Sequence, residues 1–136
     1  METAATVYKG DLRTSITHVR SGTVITTDAP VDNKGKGEYF SPTDLVASSL
    51  GSCIFTIMGI AAREYGFSID GATCRITKIM AENPRRIGEI KIVFDFTGGK
   101  YSEKQKKILE YCIKTCPVAL SLNETINQNV QMIFAD

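Results

Sequence analysis

The sequence predicts an α+β fold, and three observations predict it. The first thirty residues are rich in β-branched and alternating side chains. A charge-free apolar run from Leu45 to Ala62 follows as one long helix. Two further strands, a second helix and a last strand then complete the order β-β-β-α-β-β-α-β. Strands grouped before and between helices in this way do not build the alternating units of a doubly wound sheet. At 136 residues the chain fits a single domain, 1–136.

Each element has a local cause. Thr6-Val7-Tyr8 is β-rich, and Thr14–His18 and Thr23–Thr27 flank the turn Arg20-Ser21-Gly22. Asp28 to Tyr39 carries Pro30, Asn33, Gly35 and Gly37 and reads as a long exposed loop, a common home of function. Ser41 is a good N-cap, Pro42 suits the first helical position, and Asp44 completes a capping box. The helix that starts there reads LVASSLGSCIFTIMGIAA. Its length approaches a membrane span, but its serines and glycines dilute it, and it reads as a buried central post. Arg63, Glu64 and Gly66 close it. Ala72, Cys74 and Ile76 alternate with polar neighbours, as do Ile90, Ile92 and Phe94. Ser102 starts a second helix with an apolar face of Ile108, Leu109, Cys112, Ile113 and Cys116. Pro117 breaks it at Cys116. A short helix or turn, Val118–Leu122, and a strand, Val130–Phe134, finish the chain.

Composition narrows the function. Sixteen basic and fifteen acidic side chains leave a net charge of +1, which argues against a dedicated nucleic-acid binder. The N-terminus lacks the apolar run of a secretory signal, so a cytoplasmic location is expected. The four cysteines then sit in a reducing compartment, where structural disulfides are rare. His18 is the only histidine, and no Cys/His set completes a zinc site, so no metal and no cofactor are expected. Gly98-Gly99 reads as a turn, not a nucleotide loop.

The cysteines divide by position. Cys53 lies about three turns into the charge-free helix, too deep for the helix dipole to assist it. It reads either as a buried core thiol or as a nucleophile. In the second case an apolar setting raises its pKa, and a cation must come from elsewhere, with Arg13 and Arg20 as the candidates. Cys112 and Cys116 share a helix face, but their spacing strains a disulfide and makes a weak metal pair. Cys116, at the break before Pro117, can have the mobility that a resolving thiol needs. Cys74 and Cys112 read as core.

The segment from Ser41 to Cys53, SPTDLVASSLGSC, resembles the signature helix of the OsmC/Ohr family, the osmotically inducible and organic hydroperoxide resistance proteins. Cys116-Pro117-Val118, 63 positions after Cys53, is a second match, and Arg20-Ser21-Gly22 followed by Thr27-Asp28 a third. The resemblance implies an OsmC-like intertwined homodimer, in which part of the apolar helix faces the partner chain. It also implies a thiol peroxidase. Cys53 would attack the peroxide, Cys116 would resolve the product as a disulfide, and a small or protein-bound dithiol would restore both. Arg20 would stabilise the thiolate. Phe40, Phe55 and Ile54 would line an apolar pocket for an organic hydroperoxide. In the hydroperoxide resistance branch a glutamate ten residues before the nucleophile holds the arginine. Here that slot is Thr43, and Asp44 either takes the role from the next position or simply caps the helix. This departure keeps an alternative open: an OsmC-like protein that senses oxidants without turnover or binds an apolar ligand.

Overall fold

In the computed structural model, which describes residues 1–135, three strands open the chain: β1 (Ala4–Gly10), β2 (Arg13–His18) and β3 (Val24–Asp28). Then come α1 (Pro42–Glu64), β4 (Thr73–Ala81), β5 (Arg86–Asp95), α2 (Glu103–Thr115), α3 (Pro117–Ser121) and β6 (Asn127–Ile133). The α+β order is as expected. The contacts of the described residues fall into two compact units, residues 1–46 and residues from 47 onward, with the boundary inside α1.

The N-terminal unit is an antiparallel meander, β1-β2-β3. Its second hairpin turns where Arg20-Ser21-Gly22 predicts, and the turn fixes the register. His18 N–H donates to the Thr23 carbonyl, Thr14 pairs with Thr27, and Arg13 pairs with Asp28. Val7, Tyr8, Val24 and Ile25 are exposed on this sheet. The loop after β3 holds one 3-10 turn, Val31–Asn33, and closes on itself where Asp28 N–H donates to the Phe40 carbonyl at 3.1 Å. The capping box then forms as read: Asp44 N–H donates to Ser41 Oγ, and Ser41 N–H to the Asp44 carboxylate, each at 3.0 Å.

The C-terminal unit carries the apolar core. Its sheet has the order β4-β5-β6, antiparallel between β4 and β5 and parallel between β5 and β6. The parallel pair needs a crossover, and α2 and α3 supply it. Ile90, Ile92 and Phe94 face inward from β5 at period two. Ile87 is out of phase with them and yet buried, because the register shifts there and leaves Gly88 as the extra residue of a bulge. α1 lays Leu50, Ile54 and Met58 against this core, with Ala47 and Ala62 at its ends. Gly51 faces β4 so closely that a Cβ there would meet Ile76 Cδ1 at 2.7 Å. The helix is long and apolar enough to cross a membrane, and about a third of its most apolar window is buried. The expected burial on most sides is therefore not met within one chain.

Candidate functional site

Pro117 determines where the second thiol sits. The ring disfavours helical backbone at the residue before it, so α2 stops at Thr115 and Cys116 turns extended, with ψ of 126°. Cys116 thereby leaves α2 and becomes the N-cap of α3. Its sulfur accepts the Ala119 N–H at 3.5 Å. The side chain is fully buried.

From that position the Cys116 thiol interacts with the Cys53 thiol of α1. Burial, first, and the neighbouring Cys53 thiol, second, push the Cys116 thiol above the ordinary cysteine value, so it holds its proton. Cys53, on α1, is half-buried. The structure thus joins two residues 63 apart in sequence, which the resemblance pairs and which spacing alone does not. Burial alone raises Cys74, and it outweighs a hydrogen bond in raising Cys112, whose thiol donates to the Ile108 carbonyl at 3.2 Å. Cys112 is buried, as expected of a core thiol, whereas Cys74 is only half-buried on β4. The chemistry open to the Cys53–Cys116 pair is disulfide formation.

Two of the expected pocket residues have packing roles. Ile54 is fully buried, and Phe55 meets the Phe94 ring edge-on at 4.7 Å between centroids. Phe40, in the N-terminal unit, is exposed. Arg20 lies in the exposed β2–β3 turn, in the same unit.

The arginine that its surroundings hold is Arg13. Its Nε and Nη2 fork onto the Asp28 carboxylate at 2.7 and 2.9 Å, and Nη2 also reaches Glu38 at 2.6 Å. The Tyr39 ring lies 4.9 Å from the guanidinium carbon. Asp28 is 1% exposed and accepts a further bond from Glu38 N–H at 3.1 Å. Hydrogen bonding to Arg13 is the largest cause that holds the Asp28 carboxyl below the usual carboxylate range, and both acids push Arg13 further up. The carboxylates on the arginine are therefore Asp28 and Glu38, while Asp44 closes the helix cap. Sequence reasoning named Arg13 as a candidate and missed these partners. The signal was available, since a hairpin centred on Arg20-Ser21 places residues 13 and 28 opposite each other. Among the described residues no group of three or more His, Cys, Asp or Glu side chains could hold a metal.

A family model described as OsmC-like protein matches residues 35–131. A putative osmotic stress induced and detoxification response protein from Psychrobacter arcticus shares 49% identity. The match covers 98% of this chain and 96% of that one, at a TM-score of 0.94. An organic hydroperoxide resistance protein OsmC from Legionella pneumophila is 12% identical, covers 97% of each chain and has a TM-score of 0.76. The organic hydroperoxide resistance protein OhrB of Bacillus subtilis is 16% identical, over 97% of this chain and 98% of that one, at 0.68. These last two share the fold. The search of curated proteins finds no match.

Proposed function

The chain belongs to the OsmC-like proteins, and from that premise we propose that it is a cytoplasmic thiol peroxidase for organic hydroperoxides. The observation that supports the reading is the interaction between the Cys53 and Cys116 thiols, far apart in sequence and brought together in a largely apolar unit. The detoxification and hydroperoxide resistance roles in the names of its structural relatives support a redox reading.

The Cys53 thiolate attacks the peroxide O–O bond. It takes one oxygen as a sulfenic acid and releases an alkoxide, which gains a proton to leave as the alcohol. The Cys116 thiol then displaces hydroxide from the sulfenic sulfur, and a disulfide and water result. A dithiol reductant exchanges with that disulfide and restores both thiols as it is itself oxidised. An arginine of the N-terminal unit supplies the positive charge that favours the thiolate and the leaving alkoxide. The resemblance assigns that charge to Arg20. The active form is a homodimer, a reading supported by the apolar side chains that one chain leaves exposed on its first sheet.

The experiment is a single-equivalent hydroperoxide treatment followed by intact mass and peptide mapping. A loss of two hydrogens linking Cys53 to Cys116, absent in Cys53→Ser, is expected. A Cys53 that stays reduced at near-neutral pH overturns the reading. Sustained consumption of peroxide with excess dithiol separates turnover from the sensing alternative, which the Thr43 departure keeps open. A sensor stops after one equivalent.

A further inference from the structure

Beyond the thiol pair, the C-terminal unit has a groove of about 490 Å³ between the second half of α1 and α2. That volume suits a small-molecule ligand. Cys53 meets Cys116 at one end of the helix pair, and Tyr65 and Lys104 line the groove further along, so the helices run antiparallel beside it. Its floor is aliphatic: Ile57, Ile60 and Ala61 from α1, with Ile108 from α2. Ile60, Tyr65 and Tyr111 are all more than half exposed there.

The far end is charged. Lys104 and Lys107 stand one turn apart at the start of α2, and neither forms an ion pair among the described residues, whereas the neighbouring Lys106 is taken by Glu103. Glu64 faces the same space, which leaves one positive charge in surplus. From Lys104 to Thr115 the groove follows roughly 16 Å of helix. An apolar trough of that length, cationic at one end, is complementary to a chain with an anionic head. We propose that this groove binds a single-chain aliphatic carboxylate, with its head at Lys104 and Lys107 and its chain over Ile60, Ala61 and Ile108. The assignment stands apart from the peroxidase reading, because no thiol reacts in it.

The test titrates decanoate, and separately neutral decanol, into the intact protein by calorimetry. Decanoate is expected to bind saturably, one per chain. The double variant Lys104→Glu/Lys107→Glu is expected to weaken decanoate roughly tenfold and to leave decanol unchanged. Ala61→Phe, which fills the trough, is expected to remove both. Light scattering on each protein tests the competing occupant, a second copy of the chain. Absence of saturable binding overturns the proposal, as does decanoate binding that ignores the lysine reversal. So does an Ala61→Phe protein whose assembly separates into single chains, since the partner then occupies the groove.

Discussion

The two units of the chain are held by opposite means. The N-terminal unit is tied by a polar clasp: a buried carboxylate, a guanidinium forked onto it, a second acid and an aromatic ring. The C-terminal unit is tied by burial, with Leu50, Ile54, Met58, Ile90, Ile92 and Phe94 all removed from water. Both thiols of the candidate pair belong to the second unit and the clasped arginine to the first. An apolar interior suits a thiol that must keep its proton. A permanently charged group needs acids and solvent around it.

The contrast predicts different ways to break each unit. The largest effect is expected in the apolar core. Phe94→Ala removes a fully buried ring that Phe55 and Phe96 both touch, and should cost about 3–5 kcal/mol, read as a drop in denaturant midpoint. The clasp should fail with pH. Folded Asp28 binds its proton less readily than the unfolded chain does. The stabilisation from its pair with Arg13 is therefore fully present above the usual carboxylate range of about pH 4 and is lost as pH falls through the lowered value. Asp28→Asn should be less stable than the parent at neutral pH and should lack that acid-side loss, and a series of denaturation curves across pH would show both. A functional contrast comes next. If the resemblance assigns the charge correctly, Arg20→Gln should slow alkylation of Cys53 at near-neutral pH more than Arg13→Gln does. Equal rates in all three proteins would remove the arginine from the peroxidase scheme. The smallest effect is local: Ser41→Ala opens the capping box and should cost about 1 kcal/mol, seen as a small shift in thermal midpoint.

Much of this was legible in the residues, and the reasons differ by element. The hairpin after β2, the Ser41 capping box and the end of α2 at Cys116 follow from backbone chemistry that a few neighbouring residues decide. The strands were read short where their signal weakens. β6 begins at Asn127, not Val130, because Asn127, Gln128 and Asn129 look like loop residues until the parallel register with β5 makes them strand. β5 begins at Arg86, not Ile90, because the bulge at Gly88 reverses the alternation that a period-two reading follows. At the site, Cys53 and Cys116 came from a motif resemblance; their proximity depends on how α2 packs, which no local pattern encodes. The Arg13–Asp28 pair was within reach of pairing arithmetic, since the hairpin sets residues 13 and 28 opposite each other.

Gly51 has an effect two residues further on. Because it presents bare backbone to β4, α1 sits at the height above the strand that a hydrogen atom allows. Cys53 inherits that height. Even a single methyl group at residue 51 would displace the tip of Ile76 or lift this stretch of the rod, and a lifted rod would carry the Cys53 sulfur with it. The height of that thiol is therefore set from behind, by a side chain the protein does without.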